Sequence, residues 1–312
     1  MTMEHTQRFA CIVLPEGNSR LKPLAQTLGN YAHEVRTFTE AHRSQRELID
    51  RVADADCILP MGGTRLDADL LEACPRLRYI GLGATLFHGE SSNIDLQTAR
   101  RRGIVVTGAR DYGDIGVAEW VAAVAVKFLK QPHCNGELAG TVCGVVGAGA
   151  SGSLTARTLA ALGAEVHYFS RSRKADLDAA GIGFLELAEL LRRCRVVSIH
   201  LPRRVHLIGR EELSTLGNDK LLLNTSVGLP VEERALRSWI EQQRNIFAAD
   251  ADGIGELADI ARTHPHIEYL DASAGYTRQA EQRLFAQVES RLREFLLADR
   301  STRSSNHSSR SN

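Results

Sequence analysis

Residues Gly140–Arg173 read GTVCGVVGAGASGSLTARTLAALGAEVHYFSRSR. A short apolar run, Val142 to Val146, leads straight into Gly147-Ala148-Gly149-Ala150-Ser151-Gly152. A helical pattern follows (Leu154, Leu159, Leu162), then Gly163 and a second strand-like run, Glu165 to Phe169. Strand, glycine turn, helix and strand in that order make the first βαβ unit of a dinucleotide-binding domain. Gly147 permits the tight turn, Gly149 lets backbone approach a pyrophosphate, and Gly152 lets the helix pack close to the strand. The helix start at Ala150 and Ser151 offers unpaired N–H groups and the positive end of a dipole. A glycine turn alone is common in α/β proteins; the flanking strand and helix are what give this one its meaning.

Such domains choose their cofactor at the end of the second strand. A carboxylate there binds the ribose 2′-OH of NAD. This chain instead has Ser170-Arg171-Ser172-Arg173. Hydroxyls and guanidinium groups suit a 2′-phosphate, and no carboxylate repels it. The alternative, two merely solvated arginines, ignores their position. The expected cofactor is NADP(H) rather than NAD(H).

The length of 312 residues allows two ordinary domains, and the 43% apolar content supplies their cores. Thirty-eight basic residues balance thirty-eight acidic ones, so no global field favours nucleic acid or an anionic membrane. The apolar runs are too short to span a bilayer, and Met1 to Phe9 lacks the apolar core of a signal peptide. Six cysteines are scattered without C-x-x-C spacing, and Cys11, Cys57 and Cys143 lie in strand-like runs as reduced core residues. The expected compartment is the cytoplasm.

Before the glycine motif, strands alternate with helices: strands over 8–14, 33–38, 57–59 and 77–82, helices over 20–28, 45–52 and 66–73. This spacing implies a parallel sheet covered on both faces, complete in itself. The dinucleotide domain therefore follows a first α/β domain. Gly81-Leu82-Gly83-Ala84-Thr85 ends the last of these strands, and a loop with His88 and Glu90 comes next. Asp114 is placed to cap the long apolar helix Ile115 to Leu129. Apolar residues at Leu284, Phe285, Val288, Leu292, Phe295 and Leu296 have helical spacing, in a last helix able to return to the first domain. The Ser/Arg/Asn-rich end, 299–312, is expected to be disordered.

The order of parts resembles the D-isomer-specific 2-hydroxyacid dehydrogenase family over nearly the whole chain. The carrying stretches are Leu77-Arg78-Tyr79-Ile80-Gly81, Asn93-Ile94-Asp95-Leu96, Arg102-Gly103-Ile104-Val105-Val106 and Gly116-Val117-Ala118-Glu119. After the glycine motif come Val196-Val197-Ser198-Ile199-His200-Leu201-Pro202, Leu207-Ile208-Gly209 and Asn224-Thr225-Ser226. The resemblance implies an α/β protein of two Rossmann-like, doubly wound parallel-sheet domains with an interdomain cleft. It implies hydride transfer involving a nicotinamide and a small-molecule substrate, and commonly a homodimer. The expected domains are 1–108 plus 277–298 for substrate and 109–276 for the dinucleotide. His200, Leu201, Pro202, Thr225, Ser226, Val227 and Asp252 join the glycine motif and the Ser170–Arg173 stretch as cofactor-binding residues.

Three positions depart from the family's chemistry. The motif with the substrate-gripping arginine reads Asn224-Thr225-Ser226-Val227-Gly228, with valine in its place. The stretch with the acid/base histidine reads Asp271-Ala272-Ser273-Ala274-Gly275, with alanine in its place. The histidine's glutamate lies shortly after an aspartate at the end of the sixth strand. Asp250 or Asp252 fits that anchor; Asp252 aligns better and leaves Glu256 one position short of the slot. Without the guanidinium fork a 2-oxo acid loses orientation and electrophilic help. Without the acid, a factor of roughly 10²–10⁴ is lost.

Glu256, His88 and Tyr276 are the candidate replacements, each weighed against a solvated or packing role. His264-Pro265-His266 invites a metal reading, but no carboxylate or cysteine partner is evident, and none is assigned. Three functions remain: an NADPH-dependent reductase of an imine, activated alkene or ketone; an inactive NADP(H)-binding sensor or scaffold; or a 2-hydroxyacid dehydrogenase with relocated catalytic residues.

Overall fold

The computed structural model describes residues 8–89, 92–242 and 244–308. The chain divides into two compact units, Met1–Arg110 with Glu281–Asn312, and Asp111–Ala280.

In the first unit, β1 (Phe9–Leu14), β2 (Ala32–Thr37), β3 (Cys57–Ile58), β4 (Tyr79–Thr85) and β5 (Val105–Ala109) form one parallel sheet in the order β2-β1-β3-β4-β5. This is one of the two common doubly wound orders. Ile12, Val13, Leu14 and Ile58 are fully buried, as strands covered on both faces require. Ser44 and Asp67 cap the helices Gln45–Val52 and Ala68–Glu72 by accepting the N–H groups of Glu47 and Leu70. The expected helix over 20–28 opens instead as a 3₁₀ turn, Lys22–Leu24, because Pro23 has no N–H to give, and is α-helical only over Ala25–Leu28.

The last helix, Arg278–Ser308, belongs to this unit from Glu281 onward. Phe295 stacks on Phe9 at 5.6 Å between centroids and meets Tyr79 at 4.8 Å, while Tyr31 Oη donates to Glu289 Oε1 at 2.6 Å. Arg78 pairs with both Asp56 and Asp299. Asp299 is held by Arg78 within the helix, and the tail expected to be irregular from 299 is helical through Ser308; 309–312 lie outside the described residues.

In the second unit, β6 (Val142–Val146), β7 (Glu165–Phe169), β8 (Gly183–Phe184), β9 (Val196–Ile199), β10 (Leu221–Asn224), β11 (Ile246–Asp250) and β12 (Ile267–Leu270) form a parallel sheet ordered β12-β11-β10-β9-β6-β7-β8. Counted from β6, this is the dinucleotide-binding order with one strand added. Alternation along β10 sends Leu221 and Leu223 into one core and Leu222 into the other. The first core lies under the helices Asp114–Leu129 and Ala150–Ala161, the second under Leu187–Arg193, Arg210–Leu216 and Glu233–Ile240. Gly113, not Asp114, is the residue before the long helix; a Cβ at Gly113 would lie 2.5 Å from Gly275 O, so close backbone packing rather than a side-chain cap sets this start.

All six cysteines are free. No helix among the described residues is long and apolar enough to cross a membrane.

Candidate functional site

β6 is followed by Gly147, whose φ is +97° and whose Cβ, were there one, would lie 2.2 Å from His200 O. A Cβ at Gly152 would lie 1.9 Å from Gly147 O. Packing therefore demands both glycines. Gly149 differs: it precedes the helix Ala150–Ala161, and a Cβ there would meet nothing within 4 Å. Ser153 N–H, bonded to Gly149 O at 2.8 Å, closes the first turn, so the N–H groups of Ala150, Ser151 and Gly152 precede the intrahelical ladder. Open space over a glycine beside unpaired N–H groups fits a pyrophosphate approaching the backbone.

His200 follows β9 and joins three elements through its ring. Nε2 lies 2.8 Å from Ser198 Oγ; Nδ1 lies 3.1 Å from Thr225 Oγ1 and 3.5 Å from Ser151 Oγ. Burial pushes its pKa down to about 4, so the imidazole is neutral at physiological pH and makes a poor proton donor. Leu201 N–H donates to Ser226 Oγ at 2.9 Å; exposed Pro202 begins the connection that follows.

The strand ends β10 and β11 are tied by two residues. Asn224, fully buried, donates to Gly228 O at 3.0 Å and Gly253 O at 2.7 Å, and accepts Ser226 N–H at 3.1 Å. Asp250, 1% exposed, accepts the N–H groups of Gly253 and Ala274, each at 2.9 Å. Burial pushes its carboxyl up to about 6 against those two bonds, with the Asp252 charge adding to the rise. Gly228 N–H reaches Asp252 O at 2.8 Å, and Ala251 N–H reaches Ala272 O at 3.1 Å. Segments 224–228, 250–253 and 272–274 are thus one bonded assembly.

Gly147, Ser151, Gly152, His200, Leu201, Thr225, Ser226, Val227 and Asp252 gather at the carboxyl ends of β6, β9, β10 and β11. Val227 is 37% exposed, and Asp252 and Ala272 are exposed. The strand-terminal aspartate is Asp250 rather than Asp252, and the same spacing counted from it moves the glutamate slot to Gly255. Gly255 has φ +56°, and its Cβ would lie 2.7 Å from Leu229 Cβ. Glu256 is exposed in the 3₁₀ turn Gly255–Asp259, with its backbone O accepting from Arg237. Tyr276 is half-buried in the second unit; His88 is exposed in the first, and Glu90 lies outside the described residues.

At the end of β7, Ser170 Oγ donates to Ser172 O. Arg173 is engaged by Asp178 Oδ2 at 3.3 Å and lies over the Phe184 ring at 5.4 Å. Arg171 is exposed and has no hydrogen bond or ion pair with a described residue. His264 does have a carboxylate partner, Glu241 Oε1 at 2.9 Å, which sequence reading did not find; its other nitrogen accepts His266 N–H at 3.2 Å. Sequence reading included Ser198 and Asn224 in the family-like stretches but gave neither a role; the signal for Asn224 was one polar residue closing the apolar run Leu221–Leu223.

Residues 117–256 match the family model for the NAD binding domain of D-isomer specific 2-hydroxyacid dehydrogenase. Erythronate-4-phosphate dehydrogenase of Azotobacter vinelandii is 33% identical over 274 residues, 81% of this chain and 68% of that protein. Glyoxylate reductase of Aeropyrum pernix is 29% identical over 269 residues, 76% of this chain and 78% of that protein. An acyclic imino acid reductase solved with NADPH and D-Arg is similar with a TM-score of 0.77 at 20% identity, covering 92% of this chain and 97% of that one. D-lactate dehydrogenase from Aquifex aeolicus, solved with NAD and lactic acid, gives 0.76 at 22% identity, covering 93% and 96%. At these identities the two structures speak for the fold.

Proposed function

Because the chain belongs to the D-isomer-specific 2-hydroxyacid dehydrogenase family, we propose that it is an NADPH-preferring oxidoreductase whose substrate is not an ordinary 2-oxo acid. One observation carries this reading: a dinucleotide cradle complete in its glycines stands beside Val227, Gly255 and Ala272 where the family has charged or titratable groups.

The nicotinamide supplies the hydride when bound. Gly147, Gly149 and Gly152 shape the backbone that receives the pyrophosphate, with the N–H groups of Ala150 and Ser151. Arg171, with Ser170 and Ser172, takes the 2′-phosphate; Arg173 is held by Asp178 and supports that loop. His200 links Ser198, Thr225 and Ser151. Leu201, Pro202, Thr225, Ser226, Val227 and Asp252 line the nicotinamide side.

The substrate follows from what this site does not offer. An imine protonated before binding carries its own proton and its own activating charge. Its reduction needs neither a guanidinium at Val227 nor an acid at Ala272. A protonated imine therefore ranks first, since an activated alkene or a ketone still needs a proton from the site, although each makes equally small demands on the arginine. Glu256 and Tyr276 remain the proton-handling candidates of this unit and His88 that of the other. The same reading makes the protein a homodimer of the cytoplasm; sedimentation of the purified protein checks the dimer, and cell fractionation checks the compartment.

A second reading, an NADP(H)-binding protein without turnover, is favoured by the steric closure of Gly255 against Leu229. Fluorescence titration with NADPH and NADH, then stopped-flow oxidation against carbonyl, imine and enone panels, separates the two. Tight NADPH binding with turnover on a non-acid substrate supports the reductase. Binding without turnover supports the sensor or scaffold. Brisk glyoxylate or hydroxypyruvate reduction overturns both in favour of a dehydrogenase with relocated residues.

A further inference from the structure

We propose that His200 is a positioning residue: as the Nδ1–H tautomer it turns the hydroxyl of Ser151 into a hydrogen-bond donor directed at the phosphates of the dinucleotide. This rests on the cofactor reading given above, and it follows from accounting for each proton in the cluster.

Ser198 is fully buried, and among the described residues its hydroxyl has one hydrogen-bond partner, His200 Nε2 at 2.8 Å. A hydroxyl carries one proton, and a buried proton without an acceptor leaves a hydrogen bond unmade. Ser198 Oγ–H therefore donates, and Nε2 is the bare acceptor. In a neutral imidazole the proton then resides on Nδ1. Nδ1–H faces Thr225 Oγ1 at 3.1 Å and Ser151 Oγ at 3.5 Å. Thr225 Oγ1–H in turn has Ile199 O at 3.4 Å as its acceptor. Every proton is placed except that of Ser151.

With Nδ1–H given mainly to Thr225 Oγ1 at 3.1 Å and only weakly to Ser151 Oγ at 3.5 Å, the ring offers the Ser151 hydroxyl no acceptor, and its proton turns away from the ring. Ser151 is the second residue of the helix Ala150–Ala161, in the turn whose N–H groups precede the hydrogen-bonded ladder. Its O–H adds a donor beside those N–H groups, where Gly149 leaves open space. The opposite tautomer reverses the polarity. Nε2–H would donate to Ser198 and strand that residue's proton, and a bare Nδ1 would draw the Ser151 proton inward, away from any phosphate.

The tautomer is read without cofactor, from long-range ¹⁵N–¹H spectra of the labelled full-length protein at neutral pH. A protonated Nδ1 and bare Nε2 for His200 is the expected pattern; a protonated Nε2 overturns the proposal. Paired substitutions give a second readout. Asparagine places its amide near Nδ1, whereas glutamine reaches toward Nε2. His200→Asn should bind NADPH about fivefold more tightly than His200→Gln, and equal or reversed affinities count against the tautomer. Ser151→Ala should weaken NADPH binding about tenfold in the wild-type background and little in His200→Gln; equal losses in both backgrounds would show that His200 does not act through Ser151. Failure of the wild type to bind either NADPH or NADH would sink the cofactor reading and, with it, the phosphate-directed role, while the apo spectrum still reports the tautomer separately.

Discussion

Leu229 occupies the space that a side chain at Gly255 would enter: the Cβ of Leu229 lies 2.7 Å from where a Cβ at Gly255 would stand. Gly255 also sits at φ +56°, a conformation that other L-residues adopt at a cost. Gly255→Ala should therefore lower stability by about 1–3 kcal/mol from backbone strain alone, and further from the overlap. In a Leu229→Gly background the Cβ that makes the overlap is gone and the same substitution should cost less. Urea unfolding of the four proteins in this cycle measures the coupling; additive losses would show that Leu229 does not guard the position.

The three glycines of the dinucleotide motif should separate by experiment. Gly147→Ala and Gly152→Ala each place a Cβ within 2.2 Å of backbone oxygen, so both should be strongly destabilised or insoluble. Gly149→Ala meets no atom within 4 Å and should fold normally. Its penalty should appear on cofactor addition, as NADPH affinity reduced about tenfold or more because the new methyl fills the pyrophosphate's approach. Thermal melts with and without NADPH test this; a Gly149→Ala protein with undiminished affinity would remove the role assigned to that space.

This division also marks how far the sequence could be read. The strand–turn–helix–strand order and the alternation of β10 between two cores follow from local pattern. β8 and the helix Ala175–Asp178 escaped because two and four residues carry no period. The choice between Asp250 and Asp252 escaped for another reason: only strand pairing, with Asp250 opposite Leu270, shows where β11 ends. The links from His200 to Thr225 and Ser151, and the His264–Glu241 pair, join residues far apart in sequence, so spacing gives no hint of them.

Cofactor preference should rest on Arg171 more than on Arg173. Arg173 is already shared between Asp178 and the Phe184 ring, whereas Arg171 has no such partner among the described residues. Arg171→Ala should weaken NADPH binding about tenfold and leave NADH nearly unchanged, since only NADPH bears the 2′-phosphate. Arg173→Ala should act less on the preference and more on the loop. Parallel fluorescence titrations decide it, and an equal loss for both cofactors upon Arg171→Ala would contradict a 2′-phosphate contact.

Asp250 and His200 should pull the pH dependence of stability in opposite directions. Burial raises the Asp250 carboxyl from 3.8 to about 6, so between those values the folded state holds more protons than the unfolded one. Stability from this group is greatest below pH 4 and falls by up to about 3 kcal/mol as pH rises to 6. His200 is the reverse: burial lowers it from 6.5 to about 4, so the folded state holds fewer protons, and stability rises across nearly the same window. The two slopes largely cancel in the wild type. Asp250→Asn should unmask the rise, giving a protein that gains stability from pH 4.5 to 6.5 more steeply than wild type. His200→Asn should unmask the fall. Urea unfolding at pH 4.5, 5.5 and 6.5 resolves the slopes, and an Asp250→Asn profile parallel to wild type would mean that the buried carboxyl titrates at its ordinary value.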